Sequence, residues 1–427
     1  MFYRPMSRLD LVIFGATGFT GKQAVIHMVK FAKKYELGAW GVAGRSEKKL
    51  DALMADVAAK TGADVSGVKV IIADVDNEKS LQEMCAQTKV VVNCCGPYRL
   101  YGEPVVKAAV ENKTNYVDVS GEPQFMETMQ LRYDALAREA GVFVVSACGW
   151  DSVPADMGVV FLKQHFDGTL NSVESYLDSY LDPKYQAESK ERGVINYGTW
   201  ESLVYGIANA GELAPLRKQL YTEPLPRCKP KLERQKMQKI GSSWYLPFPG
   251  ADESVVYRTQ RHEHATAHAR PVQFRAYFKA GSFTKSILTI FAATLLYFMT
   301  KTKFTRNILL QYPKLCSLGM VTKEGPADNV MNNTHFTFEL VGRGWKTGAD
   351  IDNTEPDKKI VARVSGTNPG YGATVVALLM TATTLLKERE KLPGPGGVST
   401  PGAVFKNTSL IQKLIENDLK YEIIENK

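Results

Sequence analysis

Through the first 150 residues, short continuous apolar runs alternate with stretches whose apolar positions recur at helical spacing. The runs are Leu9–Phe14, Trp40–Ala43, Val68–Ala73, Val90–Cys94, Tyr116–Val119 and Val142–Ala147. The first interval, Gln23 to Lys34, carries Ala24, Val25, Met28 and Phe31 at near-helical spacing. Apolar strands in that rhythm predict a parallel sheet with helices on both faces. After residue 160 the pattern changes: Val272, Phe274, Ala276 and Phe278 alternate with Gln273, Arg275, Tyr277 and Lys279. Phe336-Phe338-Leu340 and Ile360-Ala362-Val364 do likewise, and with Val173–Leu181 they predict a largely antiparallel sheet with one buried face. Gln186–Pro271 is rich in Pro, Lys and Arg and predicts a helix around Trp200–Ala208 among long surface loops.

The expected fold class is α/β: a Rossmann-type doubly wound parallel sheet over residues 1–157, and a second α+β domain with a mainly antiparallel sheet over 158–370. In the remaining segment, 371–427, an apolar helix at Thr374–Leu386 leads to a Pro- and Gly-rich turn at 393–402 that carries the chain back to the first domain.

One stretch of the second domain, 286–300, is uncharged throughout. Its core, Ile287 to Met299, would rise only about 20 Å as a helix, against roughly 30 Å of bilayer hydrocarbon, so it does not span. Two forms suit it. It packs as a buried helix against the second sheet, or it lies in one lipid monolayer as a surface hairpin flanked by Lys285, Lys301, Lys303 and Arg306 and continued by Ile308-Leu309-Leu310, Tyr312, Leu315 and Met320.

The first apolar run enters Gly15-Ala16-Thr17-Gly18-Phe19-Thr20-Gly21 and then a helical stretch. Glycines at that spacing allow a tight turn, a close approach of backbone N–H groups to phosphate oxygens, and near contact of helix with strand. Gly15, Thr17, Gly18, Phe19, Thr20 and Gly21 are therefore the expected cradle of a dinucleotide pyrophosphate. In doubly wound sheets ligands bind beyond the carboxyl ends of the strands, which directs attention to the residues after each run. After the second run stands Gly44-Arg45-Ser46, with no acidic residue to hold ribose hydroxyls. Arg45, with Ser46, Lys48 and Lys49 nearby, offers a planar fork that matches a phosphate and favours NADP(H) over NAD(H); the alternative is a solvated loop arginine. After the third run, Asp74 either accepts from the adenine amino group or caps a helix. After the fourth, Cys95, Gly96 and Pro97 form a small-residue turn placed for the nicotinamide ribose.

Catalytic candidates at the rim are Tyr98, Glu122 and Asp151, each with a packing or capping alternative; Asp156 shares the capping alternative. The short-chain dehydrogenase pair Tyr-x-x-x-Lys is absent where it is needed, since Ala137 follows Tyr133 by four residues. His262-Glu263-His264 and His268 read as a solvated polar loop, and no metal site is expected.

At 427 residues the chain accommodates two domains with proper cores, and the formal charge of +8 suits an anionic cofactor or a negative membrane surface. The charge is too mild and too evenly spread for nucleic acid, and no nucleic-acid-binding signature is present. Six cysteines without a Cys-x-x-Cys pair read as reduced thiols in a cytosol-facing protein. Met1–Arg8 lacks the apolar stretch of a secretory leader.

Gly-Ala-Thr-Gly-Phe-Thr-Gly (15–21), Ala-Gly-Arg-Ser (43–46), Val-Val-Asn-Cys-Cys-Gly-Pro-Tyr (91–98), Asp-Val-Ser-Gly-Glu (118–122) and Gly-Trp-Asp-Ser-Val-Pro-Ala-Asp (149–156) together closely resemble the saccharopine dehydrogenase-like oxidoreductases. The likeness continues through Gly-Thr-Trp-Glu-Ser (198–202), Gly370-Tyr371-Gly372 and Gly396-Gly397-Val398, nearly the length of the chain. The resemblance implies a nucleotide-binding fold and an oxidoreductase assignment, without implying saccharopine as substrate. Its animal members look like lipid-droplet or membrane-associated proteins. The expected partners are thus a small-molecule substrate, a membrane or droplet monolayer contacted through 286–320, and a second copy of the chain as a homodimer. The expected location is a lipid droplet or a cytosol-facing membrane surface, with the mitochondrion as the alternative. The leading expectation is an NADP(H)-dependent oxidoreductase whose second domain closes over a carbonyl or amine substrate. The rival is a catalytically weak nucleotide-binding scaffold or sensor on droplets.

Overall fold

A computed structural model describes residues 8–427; Met1–Arg8, read above as lacking a leader, falls outside them except for Arg8. The first half runs β1 (Leu9–Phe14), α1 (Phe19–Lys34), β2 (Trp40–Gly44), α2 (Glu47–Thr61), β3 (Lys69–Ile72), α3 (Glu78–Ala86), β4 (Thr88–Asn93), α4 (Tyr98–Glu111), β5 (Asn115–Asp118), α5 (Pro123–Ala140), β6 (Phe143–Val145) and α6 (Ser152–His165). Local chemistry sets the boundaries. Ser46 and Asn77 cap α2 and α3 by accepting from Lys49 N and Ser80 N, and Gly62 and Gly141 end α2 and α5 in the left-handed conformation that only glycine adopts without strain.

The strands pair in parallel in the order β3-β2-β1-β4-β5-β6, followed by the short strand Gly397–Ser399. This is the doubly wound order, with its switch point between β1 and β4. The return of the chain to the first sheet is made by Gly397–Ser399 alone. The last strand, Lys420–Asn426, adds instead to the edge of the second sheet.

That second sheet has seven strands, in the order Lys420–Asn426, Lys358–Thr367, Thr334–Lys346, β7 (Gly168–Leu181), Gln273–Gly281, Ser243–Pro247 and Gln238–Ile240. All pair antiparallel except β7 with Gln273–Gly281. Its inner face carries Val173, Phe274, Phe336, Phe338, Leu340, Ile360 and Ala362, all buried. On the outer face Arg363 pairs with Glu339 at 2.7 Å.

The helix Thr374–Lys387 is buried on nearly every side, packing against α1, β4 and β5. One continuous apolar cluster runs from α1 through this helix and α6 to the inner face of the second sheet. Past the end of the buried helix, Glu388 gathers Lys391 at 3.0 Å, the Ser409 backbone N–H at 2.9 Å, and the Ser409 hydroxyl and Lys413 ammonium. Burial raises this carboxyl, yet Lys413 and Ser409 outweigh burial and hold it down at about 2. Glu388→Ala strands the largely buried Lys413 charge, and urea unfolding of that variant is expected to show a loss of about 3 kcal/mol. Unchanged stability would remove Glu388 from any structural role.

Two expectations are corrected here. The stretch Gln186–Pro271 contains a 16-residue helix, Asp252–Ala267, where surface loops were expected. His262, Glu263 and His264 therefore lie on a helix rather than in a solvated loop, with Glu263 buried against Lys163 at 2.5 Å and Lys406 at 3.3 Å. The second correction concerns 286–300. All of it but the buried Thr300 lies within the helix Phe283–Met299, of whose residues only Ser286 is buried, so of the two forms the helix packed into the core does not hold.

Candidate functional site

The turn after β1 is built by backbone geometry. Gly15 has φ of +75°, and its N–H donates to the Ala43 carbonyl at 3.0 Å, which ties the turn to β2. A Cβ on Gly15 would meet Cys95 Sγ at 2.6 Å, and one on Gly21 would lie 2.2 Å from the Gly15 carbonyl oxygen. Gly18 is the N-cap residue of α1, with no side chain satisfying the first-turn amides and no acidic residue near them. Thr17 and Gly18 are exposed, and Phe19 and Thr20 half-buried. A helix start of this kind presents free N–H donors and the positive end of its dipole.

Cys95 joins this turn to the neighbouring strand ends. Burial pushes its thiol up to about 12, while the Arg45 charge draws it back and Asp74 adds to the rise, which places both side chains within electrostatic reach. Arg45 is exposed and, among the described residues, has no hydrogen-bond or carboxylate partner. Ser46 is engaged as the cap of α2. Asp74 does not cap α3, a role taken by Asn77; its Oδ1 accepts from Asp76 N at 3.2 Å. The Cys95 N–H donates to Asn93 Oδ1 at 2.9 Å, and Gly96–Pro97 leads into α4.

The three rim candidates differ in what their polar atoms do. The Tyr98 hydroxyl donates to the Asn93 carbonyl at 2.9 Å, and burial holds its phenol far above the usual range. Glu122 accepts from the backbone N–H groups of Tyr98 and Arg99 and from the Ser202 hydroxyl, each at 2.9 Å; burial raises it. Asp151 sits at φ of +75°, strained for a residue with a Cβ, at the start of α6. Burial pushes its carboxyl up to about 7. It faces Asp252, whose carboxyl burial raises well above its ordinary range, with the Asp151 charge adding to the rise. Asp156 lies beyond, accepting from Thr259 Oγ1 at 2.8 Å and Gly402 N at 2.6 Å, and burial pushes it up to about 7 as well. Beneath the rim, fully buried Asp118 accepts from Ser120 N, Ala147 N and Ser146 Oγ, and burial lifts it to about 6.

Several contributors were not foreseen. Asp252 comes from the helix hidden in the Pro- and Lys-rich stretch. Tyr371, within the Gly-Tyr-Gly motif, sets its ring 4.6 Å from Phe19, and a Cβ on Gly325 would touch the same Phe19 ring at 2.8 Å. Trp150 stacks edge-on against Phe336 and Phe338, so the loop after β6 carries the rim to the second sheet. Tyr133, the short-chain candidate, bonds Glu103 at 3.1 Å. All six cysteines are free.

A doubly wound sheet with a glycine turn and uncapped helix start at its switch point defines a dinucleotide-binding α/β protein. A family model described as the saccharopine dehydrogenase NADP binding domain matches residues 11–145. The saccharopine dehydrogenase-like oxidoreductase of Mus musculus is 39% identical over 424 residues, 97% of each chain. The lipid droplet localized protein of Caenorhabditis elegans is 40% identical over 428 residues, 98% of this chain and 99% of its own. The apo saccharopine dehydrogenase (L-Glu forming) of Saccharomyces cerevisiae superposes with a TM-score of 0.53, over 98% of this chain and 100% of its own, at 14% identity, which speaks to the fold alone. The chain belongs to the saccharopine dehydrogenase-like oxidoreductases.

Proposed function

We propose that this protein is an NADP(H)-dependent oxidoreductase of carbonyl or amine substrates that works at lipid-droplet surfaces. One observation carries the cofactor half: a turn in which no side chain fits at Gly15 or Gly21, set beside the exposed Arg45 guanidinium, which has no partner among the described residues. The residues fit a dinucleotide. The amides of Thr17 to Gly21 would hold the pyrophosphate, Arg45 and Ser46 the 2′-phosphate, Asp74 the adenine, and Cys95, Gly96 and Pro97 the nicotinamide ribose. Bound there, the cofactor supplies or accepts a hydride. The droplet half draws on the name of the Caenorhabditis elegans relative and on the exposed helix Phe283–Met299.

The scaffold reading is favoured by one observation: the polar atoms of Tyr98 and Glu122 are spent on backbone groups and on Ser202. This leaves Asp151, with a carboxyl lifted to about 7, as the rim group suited to move a proton near neutrality. Titration with NADPH, followed by absorbance loss against a panel of ketones, aldehydes and imines, separates the readings. Turnover supports the enzyme, and tight binding without turnover supports the scaffold.

Arg45→Ala is expected to weaken NADPH about tenfold to a hundredfold and leave NADH nearly unchanged, the worth of one charge-assisted phosphate contact. Equal losses for both nucleotides would refute the phosphate role.

A further inference from the structure

We propose that the helices Phe283–Met299 and Lys303–Gln311, with the loop to Met320, form a docking hairpin that inserts into a single leaflet of anionic phospholipid. This deepens the droplet half of the reading above and is independent of the oxidoreductase half.

The first helix stands out from the body over most of its circumference. Leu288 is 66% exposed and Phe291 68%, and Leu318 at the far end of the hairpin is 86% exposed. Ile287, Leu295, Phe298, Phe304 and Leu315 are exposed beside them. Soluble chains rarely present so many large apolar side chains contiguously, because each leaves apolar surface in water. The base, by contrast, is fixed. Trp200 Nε1 donates to the Leu309 carbonyl at 2.9 Å, and Leu296, Met299, Leu309 and Leu310 pack with Trp200 and Val204. On the other side Phe283 sets its ring 5.3 Å from Trp244 of the second sheet. The hairpin is thus held in place at its root while its apolar flank stays uncovered.

Length and charge select the occupant. A helix of 17 residues rises about 25 Å, short of the roughly 30 Å of bilayer hydrocarbon, so it suits a monolayer or one leaflet. From Ser282 to Lys323 the chain carries Lys285, Lys301, Lys303, Arg306, Lys314 and Lys323 and no Asp or Glu. Among the described residues none of these cations has a carboxylate partner. Basic residues ringing an apolar face are complementary to anionic headgroups. Lys301 lies 4.0 Å over the Tyr297 ring, an amphipathic pair suited to the headgroup level. Beside the loop an open, shallow recess of about 760 Å³ is lined by the apolar Tyr312, Pro313, Leu315 and Leu318 and by Lys314, Lys323 and Glu324, which extends the apolar face of the hairpin.

The test is flotation of the full chain on triolein droplets coated with phosphatidylcholine, with and without phosphatidylserine. Wild type is expected to float, and more so with phosphatidylserine. The triple variant Leu288→Glu/Phe291→Glu/Phe298→Glu is expected to lose at least about tenfold in the floated fraction while binding NADPH as wild type does. Lys301→Glu/Lys303→Glu/Arg306→Glu is expected to lose the phosphatidylserine dependence. Should the triple variant fold poorly, Leu315→Glu/Leu318→Glu on the loop carries the same expectation. A triple variant that floats like wild type overturns the hairpin and spares the droplet reading, whereas a wild type that never floats overturns both. A wild-type dimer that the triple variant dissolves, with no flotation, would make this face a contact between copies and overturn the proposal.

Discussion

Gly21→Ala is expected to lower NADPH affinity by at least about a hundredfold, the worth of two charge-assisted hydrogen bonds to phosphate. The added methyl would stand 2.2 Å from the Gly15 carbonyl oxygen and 2.9 Å from Ala16 Cα, both backbone atoms that cannot swing aside as a side chain would. The first turn of α1 must then retreat from β1, and its amides leave the positions where they converge on an anion. The measurement is a fluorescence titration with NADPH, alongside a melting curve showing the variant folded. A folded variant that binds like wild type would mean the pyrophosphate sits elsewhere.

Stability is expected to fall as pH rises from about 4 to about 7, the reverse of a protein dominated by exposed ion pairs. Asp118 is lifted to about 6, Asp151 and Asp156 to about 7, and Asp252 above its ordinary value, in each case by burial. An aspartate whose folded pKa is raised binds its proton more tightly folded than unfolded, where it titrates near about 3.9. The stability it contributes is complete below that value and is lost as pH climbs through the folded pKa, at about 1.4 kcal/mol for each unit of elevation. Glu388, depressed to about 2, has the opposite sign and loses its contribution only as pH falls below the ordinary range for glutamate. Asp252→Asn removes one charge from the facing pair. Its melting temperature is expected to exceed that of wild type at about pH 8 and to match it more closely at about pH 5. A flat wild-type profile, or an asparagine variant equally weakened at both values, would defeat the account.

The nucleotide half was legible because its strands are buried on both faces and so read as unbroken apolar runs, with glycines marking the first turn. All six expected strands are present, the first with its ends unmoved and the others with ends shifted by at most two residues. The seventh, Gly397–Ser399, was not assigned as a strand: three residues carry no periodicity, and only the pairing with Phe143–Val145 makes it one. The helix Asp252–Ala267 escaped for a different reason. Its inward face holds Arg258, Thr259, Gln260 and Glu263 as well as Val255 and Val256, so burial there is largely polar and leaves little hydrophobic period to find. Asp252 was hidden with it, and its meeting with Asp151, from a segment about a hundred residues earlier, is a property of the fold. Tyr98 and Glu122 were visible as residues but not as partners of backbone amides. For Phe283–Met299 the composition suited core and lipid alike, and only its surroundings distinguish them.

The apolar seam that runs unbroken from α1 to the inner face of the second sheet bears on how anything enters. Hinged jaws need an interface that parts cheaply, whereas swinging these halves apart would wet Phe336, Phe338 and Val173 together with the Trp150 ring. Parting the halves to admit a substrate would expose that buried apolar area to water, a cost that movement of a surface loop does not carry.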